Sequence, residues 1–209
     1  MPRRRRSRGD SQAALFQAAA QEFAERGYEA ARVDRIAQRA RVNKAMLYYH
    51  YRSKQGLYIE VLRDMFRAVG VRARAIADGP GAADAKLDTW IAAIVEEAAA
   101  RPWFPPIMLR EIASGAAHID DATFGMMNGV FLAVRDVIEQ GQREGSFHQA
   151  DPLLAYLMIL PSILIFFARQ RVIAQRKGVL GFAAAAPRTT DEFIRHVQRS
   201  ARAILRSDT

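Results

Sequence analysis

Apolar residues recur at spacings of three and four positions along most of this 209-residue chain, and no stretch alternates strictly between apolar and polar residues. The first spacing puts apolar side chains on one face of an α-helix, whereas a half-buried β-strand requires the alternation. The pattern therefore predicts an all-α protein, and its apolar stripes divide into nine helices.

Capping residues set the boundaries of the first four predicted helices. Asp10 is a candidate N-cap of the first helix, Gly27 is its candidate C-terminal stop, and Ser53 is a candidate N-cap of the fourth. Two short helices are predicted between them, over about residues 33–40 and 44–51. We expect the long fourth helix to join two modules.

Proline, glycine and acidic residues mark the later helices. Pro105-Pro106 predicts the start of the sixth helix, Gly115 predicts its end, and Gly145 predicts the end of the seventh. Asp151-Pro152 predicts the start of an eighth helix that runs to about Arg176, followed by a loop over residues 178–187. The ninth helix follows a capping box formed by Thr189 and Glu192.

The positive charge is concentrated at one end of the chain. The net charge is +9, and residues 1–54 hold 13 Lys and Arg against 5 Asp and Glu, whereas residues 55–209 hold 18 against 17. This asymmetry indicates a nucleic-acid-binding module attached to a neutral one. We therefore predict a basic arm over 1–9, a DNA-binding domain over 10–54 and a second domain over 55–209.

Residues 33–51 have the spacing of a helix-turn-helix. Ile36, Ala37 and Ala40 are expected to face inward from the first short helix, and Leu47 and Tyr51 from the second. Asn43 can cap the second helix, which leaves an outward face suited to a major groove. That face consists of Lys44, Ala45, Tyr48 and Tyr49.

Four short motifs follow one another at fixed spacing, namely Phe23-Ala24-Glu25-Arg26-Gly27-Tyr28, Ile36-Ala37, Leu47-Tyr48-Tyr49-His50-Tyr51 and Ser53-Lys54-Gln55-Gly56-Leu57. Together they resemble the signature of the TetR family of transcriptional regulators, over about residues 10–60. The resemblance implies an N-terminal three-helix DNA-binding bundle and a larger C-terminal helical domain for ligand binding and dimerisation. It also implies DNA contacts by Lys44, Ala45, Tyr48, Tyr49 and His50, a phosphate contact by Lys54, and a backbone approach near Arg32 and Val33.

Two departures from the family pattern bear on the turn and on the preceding helix. Arg41 stands where glycine is usual, so the turn must avoid or tolerate a left-handed backbone. Arg32-Val33 lacks the threonine that often caps the preceding helix.

The C-terminal half carries no motif of its own, so the resemblance alone implies a ligand pocket and a dimer formed by the last two helices. A largely apolar ligand is expected, with Glu96, Glu97, Glu111, Asp120 or Asp121 as partners for any cationic group. The candidate pocket residues are Trp103, Phe104, Met108, Met127, Phe131, Tyr156 and Phe166. The candidate dimer residues are Ile159, Ile163, Phe167, Phe193, Val197, Ala201 and Ile204.

Other functions find little support in the sequence. There are no cysteines, and the histidines are scattered, so we expect no metal and no cofactor. No Ser, His, Asp or Cys constellation or glycine-rich phosphate loop specifies an enzyme. The longest apolar run, Leu153 to Ala168, has sixteen residues and contains Pro161, so we expect a core or interface helix and a cytoplasmic protein.

The sequence therefore predicts a homodimeric transcriptional regulator, with repression of a palindromic operator and release by a small molecule as the family default. A ligand-independent architectural DNA-binding protein is the alternative. The arginine run Arg3-Arg4-Arg5-Arg6 is open to two interpretations, a solvated tail or an arm that reaches DNA.

Overall fold

The computed structural model describes residues 8–175 and 189–206, and these residues form nine α-helices and no strand. The all-α prediction is confirmed. The helices are α1 (Arg8–Ala30), α2 (Val33–Ala40), α3 (Lys44–Tyr51), α4 (Lys54–Asp78), α5 (Ala83–Ala100), α6 (Phe104–Ala113), α7 (Asp121–Glu144), α8 (Pro152–Gln175) and α9 (Thr190–Leu205).

Most of the predicted helix boundaries are observed with their caps. The side chain of Asn43 accepts a hydrogen bond from the Ala45 N–H at 2.8 Å, and that of Ser53 accepts one from the Gly56 N–H at 2.9 Å. Thr189 forms the reciprocal capping box of α9. Each of these side chains satisfies a backbone donor that the first turn of a helix leaves unpaired.

The first helix differs from its prediction at its start. Asp10 lies inside the first turn of α1, because the helix already includes Arg8, so Asp10 is not its N-cap. Gly27 has a non-helical backbone, with φ of 76° and ψ of 173°, so the regular helix breaks at the predicted glycine. A further short helical segment follows this kink and runs to Ala30.

The long helix α4 connects the N-terminal helices with the rest of the protein. It packs against α1 and α3 near its start and against α5 and α7 over the rest of its length. Twenty-five residues of helix span about 37 Å, so the two ends of α4 lie far apart. One continuous core joins all of these helices, with fully buried residues such as Phe23, Leu62 and Trp90.

Three parts of the sequence predictions lie outside the described residues. They are the arginine run within residues 1–7, the predicted loop over 178–187, and the end of the eighth helix at Arg176.

Candidate functional site

The two short helices form the predicted helix-turn-helix. Ile36, Ala37 and Ala40 are buried on α2, as are Leu47 and Tyr51 on α3. Arg41 occupies the glycine position of the turn with a left-handed backbone, φ 55° and ψ 42°, so the turn tolerates the conformation that glycine would adopt more easily. Its N–H donates to the carbonyl of Gln38 at 3.0 Å, which closes the end of α2.

The helix α3 is fixed from its buried side. The hydroxyl of Tyr51 donates to the backbone carbonyl of Gln12 on α1 at 3.1 Å. The start of α4 approaches α3 so closely that a Cβ at Gly56 would lie 2.3 Å from the Tyr51 carbonyl oxygen. Only glycine allows this approach, so the motif glycine sets the angle between α3 and α4.

The helix α2 is fixed by ion pairs to α1. The guanidinium of Arg39 binds the carboxylate of Glu25 with two hydrogen bonds, of 3.1 and 2.7 Å, and lies 3.8 Å from the buried Glu22. Such a two-point contact fixes orientation as well as distance. Both helices of the motif are therefore held rigidly on α1.

The outward face of α3 carries the predicted residues. Tyr48 and Tyr49 are 47% and 58% exposed, which is unusual for large aromatic side chains, and Lys44 and Ala45 are also exposed. The ammonium of Lys44 lies 2.9 Å from a carboxylate oxygen of Asp34 on α2, and this hydrogen bond and charge raise the pKa of Lys44. Lys44 therefore stays cationic but must leave Asp34 to reach DNA.

His50 and Lys54 are less accessible than the exposed residues of α3. His50 is partly buried, and its Nε2 atom is enclosed without a hydrogen-bond partner among the described residues. The ammonium of Lys54 donates to the carbonyls of Tyr28 and Ala31, at 2.9 and 3.3 Å, and lies 4.2 Å from the Tyr28 ring centroid. In this structure Lys54 holds the end of α1, and its contact with phosphate stays a prediction.

Exposed arginines extend the candidate face beyond the predicted residues. Arg32 precedes α2 with an extended backbone and no side-chain cap, as its sequence predicted, and Val33 beside it is half-buried. Sequence reasoning missed Arg35, Arg41 and Arg52, which are all exposed on the helix-turn-helix. Their position on the helix-turn-helix could have identified them as candidates for phosphate contacts, because exposed cations near a DNA groove bind phosphate.

A cavity of about 310 Å³ lies in the C-terminal half, between α4, α5, α6, α7 and α8. Its described lining is apolar except for Tyr156 and Asn128. Burial raises the pKa of Tyr156 to about 12, so this hydroxyl is neutral at physiological pH.

Five of the seven candidate pocket residues line this cavity: Phe104, Met108, Met127, Phe131 and Tyr156. The structure puts the other two elsewhere. Trp103 packs edge-on against Phe16 of α1, and Phe166 stacks on Phe193 of α9 with centroids 3.7 Å apart. Helical spacing identified aromatic residues but not the side of the helix that meets the cavity.

None of the five acidic residues proposed as partners for a cationic ligand is among the described lining residues. Glu96 and Glu97 pair with Arg72, and Asp120 pairs with Arg63. Asp121 begins α7, and Glu111 belongs to a buried cluster at the opposite face of α6.

That buried cluster joins α6 to α1. The Glu111 carboxylate accepts hydrogen bonds from the Tyr58 hydroxyl at 2.5 Å and from the backbone N–H of His118 at 3.3 Å. It also lies 2.9 Å from the ring Nδ1 atom of His118. The other ring nitrogen of His118 lies 2.9 Å from Glu29 of α1. Partial burial by itself lowers the pKa of His118, but the hydrogen bonds to Glu29 and Glu111 outweigh it and raise the pKa.

The candidate dimer residues divide into buried and half-buried groups. Ile159, Ile163, Val197 and Ala201 are already buried within one chain, so they are not part of its exposed surface, and a role in a dimer stays a prediction. Phe167, Phe193 and Ile204 are half-buried. Five large apolar side chains among the described residues of α8 are exposed: Leu153 and Leu157 line the cavity, and Leu154, Met158 and Ile165, at 62%, 64% and 56% exposure, do not.

The apolar character of α8 also bears on the membrane question. A window of 18 residues, Pro152–Arg169, has a mean hydropathy of 1.9, and 28% of it is buried. The window reaches spanning length only with Pro152 and Arg169 at its ends, so the expectation of a core or interface helix stays a prediction. Length and composition are the only support for a span, and an interface helix meets the same two criteria.

No group of three or more His, Asp or Glu side chains in residues 8–175 and 189–206 is arranged to hold a metal ion.

Comparison with known proteins agrees with this geometry. Residues 15–61 match the model for "Bacterial regulatory proteins, tetR family". The chain is 27% identical over 198 residues to the HTH-type transcriptional repressor SCO4008 of Streptomyces coelicolor, which covers 93% of this chain and 95% of the relative. A shorter match, 46% identical over 56 residues, relates it to the HTH-type transcriptional activator FasR of Mycolicibacterium smegmatis and covers 27% of this chain and 26% of FasR.

Solved structures share the fold. The ketosteroid transcriptional regulator KstR2 of Mycobacterium tuberculosis has a TM-score of 0.74 at 22% identity, over 99% of this chain and 98% of that one. The TetR-family regulator PfmR of Thermus thermophilus has a TM-score of 0.71 at 22% identity, over 90% and 97%.

The exposed helix-turn-helix and the all-helical body that carries a cavity define a DNA-binding transcriptional regulator. The chain is similar to the TetR family of bacterial regulatory proteins, by the family match over residues 15–61 and by a relative and a solved structure that each cover at least 90% of it.

Proposed function

We propose that the chain binds a palindromic operator as a homodimer, with one α3 helix in the major groove of each half-site. The outward face of α3 is the observation that carries this proposal, because Tyr48 and Tyr49 are exposed on a helix that is otherwise rigidly packed. A groove surface provides apolar and polar contacts that suit two large rings of which 47% and 58% is exposed.

Each exposed residue has a role suited to its chemistry. Lys44 and Ala45 lie in the first turn of α3, where the helix dipole favours phosphate. Lys44 can donate to guanine O6 or N7, or to phosphate, and Ala45 can contact a thymine methyl group. The hydroxyls of Tyr48 and Tyr49 reach phosphate or sugar.

We assign supporting contacts to the residues around α3. Arg32 and Val33 approach the DNA backbone at the start of α2. His50 has its Nδ1 atom left for such a contact, because Nε2 is enclosed. Lys54 holds the end of α1 in place, and its ammonium can bind phosphate only if it gives up a hydrogen bond to a backbone carbonyl such as that of Tyr28.

Dimerisation follows from the short reach of a single recognition helix. Eight residues span about 12 Å and contact few base pairs, whereas a two-fold dimer doubles the contacts on a palindrome. The exposed stripe of Leu154, Met158 and Ile165 supports α8 as the centre of the interface, with the half-buried Phe193 and Ile204 of α9 beside it.

We further propose that a small, largely apolar effector enters the cavity and releases the operator. Two helices connect the cavity with the DNA-binding module. The first is α4, because Met65 and Phe66 line the cavity and the start of the same helix contacts α3. The second is α6, because Met108 lines the cavity and Arg110 donates a hydrogen bond to the Ala24 carbonyl of α1 at 2.7 Å. A ligand that favours one arrangement of these helices shifts the population of DNA-competent dimers.

Repression is the proposed outcome of DNA binding, because the relative that matches nearly the whole chain is named a repressor. The relative named an activator matches over a much shorter stretch. Action on the chromosome makes the cytoplasm the proposed location.

The test is binding of the purified protein to DNA from upstream of its own gene, measured by fluorescence anisotropy with random DNA of equal length as the control. We expect specific DNA to bind at least about a thousandfold more tightly. Equal affinity for the two DNAs would favour the architectural alternative. Sedimentation of the complex should give two chains per operator.

A further inference from the structure

We propose that the effector of this regulator is an uncharged molecule, apolar over most of its surface, with a neutral oxygen that accepts a hydrogen bond from the hydroxyl of Tyr156. This inference rests on the proposed function, since it names the chemical class of ligand for the cavity between α4 and α8.

The first step concerns charge. No Lys, Arg, His, Asp or Glu is among the described residues that line the cavity. A carboxylate or ammonium group that leaves water without a partner loses several kcal/mol of hydration, by general estimates. The nearby acidic residues are already engaged, for example Asp120 with Arg63 and Glu97 with Arg72. The cavity therefore discriminates against both anions and cations.

The second step concerns the polar groups that the cavity does have. Tyr156 on α8 makes ring contacts with Phe131 and Trp90, with centroids 5.3 and 6.3 Å away, but its hydroxyl bonds to none of the described residues. Asn128 on α7 likewise has no side-chain partner in the described part of the chain. Asn128 is exposed and Tyr156 is partly buried, so in the free protein only water can pair with the Tyr156 hydroxyl, and a ligand oxygen in this apolar cavity can take the place of that water.

The third step concerns the mouth of the cavity. Ile112, Phe124, Leu153 and Leu157 all line the cavity and are all about half exposed. Large apolar side chains gathered at one opening favour a ligand that is apolar along its length and covers them. A compact polar metabolite would leave this rim in water.

The experiment uses the full-length dimer and four ligands on one ring skeleton: naphthalene, 2-naphthol, 2-naphthoate and 2-naphthylmethylammonium. Isothermal titration at pH 7.5 keeps the naphthol neutral and the last two charged. We expect 2-naphthol to bind at least about tenfold more tightly than either charged ligand.

The variant Tyr156→Phe isolates the hydroxyl. We expect it to weaken 2-naphthol about fivefold and to leave naphthalene unchanged, because one net hydrogen bond is lost and no packing. A thermal midpoint like that of the parent, without ligand, shows that the variant is folded. Equal weakening of both ligands, equal binding of a charged ligand, or no binding of 2-naphthol overturns the inference.

Release of operator DNA, measured in parallel, separates this inference from the proposed function. If 2-naphthoate binds best and releases DNA, the regulator function stands and the uncharged class is wrong. If the expected order of binding holds but no bound ligand alters DNA affinity, the ligand class stands and regulation through this cavity is wrong.

Discussion

The two carboxylates that face His118 provide a direct test of how burial controls the strength of the α1–α6 junction. Glu111 and Glu29 each lie 2.9 Å from a ring nitrogen of His118, but their side chains are 2% and 84% exposed. Distance alone would give the two pairs the same contribution to stability. Their surroundings make them different, since water screens and competes for only one of them.

The expected magnitudes follow from that difference. Glu111→Ala leaves the buried Tyr58 hydroxyl and the His118 ring without their acceptor, and removal of one partner from a buried charged cluster costs about 3–5 kcal/mol. Glu29→Ala removes an exposed partner and costs about 0–1 kcal/mol. We therefore expect the first substitution to lower the free energy of unfolding several times more than the second.

The assay is urea unfolding followed by far-ultraviolet circular dichroism at pH 6, where His118 is protonated. Both variants and the parent are compared at one protomer concentration, because the stability of the proposed dimer depends on it. Unchanged denaturant slopes would show that the denatured states are comparable. Equal losses for the two variants would refute the argument that burial decides the strength of this junction.

Three further predictions concern the junction, the recognition helix and the dimer. The pKa of His118 is raised in the folded protein, so its contribution to stability is complete below the unfolded pKa of about 6.5 and is lost as the pH rises through the folded pKa. The difference in unfolding free energy between the parent and His118→Gln should therefore shrink from pH 6 to pH 9. A constant difference would contradict this. Gly56→Ala should cost about 1–3 kcal/mol in thermal unfolding through its backbone clash, whereas Gly70→Ala on the same helix, with open space around it, should be neutral or stabilising; similar losses would argue against the close approach. Met158→Glu should shift the proposed dimer towards monomer in sedimentation, whereas Val71→Glu on α4, at a side chain 72% exposed against 64% for Met158, should not. A stable Met158→Glu dimer would put the interface elsewhere.

The sequence predicted the features of the fold that depend on neighbouring residues. The cap of α3 links Asn43 to Ala45, and the capping box of α9 links Thr189 to Glu192, so each signal is contained in a few positions. The stripe of Ile36, Ala37 and Ala40 likewise lies within one short helix.

Features that depend on distant residues could not be predicted in this way. Lys54 binds carbonyls that lie 23 and 26 residues earlier, and His118 meets a glutamate 89 residues away. No local pattern reports such acceptors, so Lys54 was assigned to phosphate alone.

The same reason explains why the sequence could not separate core residues from exposed residues in the C-terminal half. An apolar stripe shows that a helix face is buried but not which neighbour buries it. On α8, Ile159 and Ile163 face the core of their own chain, and the adjacent Met158 faces outward. A shift of one residue turns a side chain by about 100° around a helix, which is enough to exchange core for interface.

The central claim is that the outward face of α3 binds DNA, and the most direct test is the affinity of the double variant Lys44→Ala, Tyr48→Ala for upstream DNA. Arg143→Ala is the matched control, because it removes an exposed cation near the end of α7, beside the start of α5 and far from α3. Two DNA contacts of about 1 kcal/mol each are the least that the double variant loses, so fluorescence anisotropy should show at least about thirtyfold weaker binding, with the control unchanged. Parental affinity in a folded double variant would contradict the account.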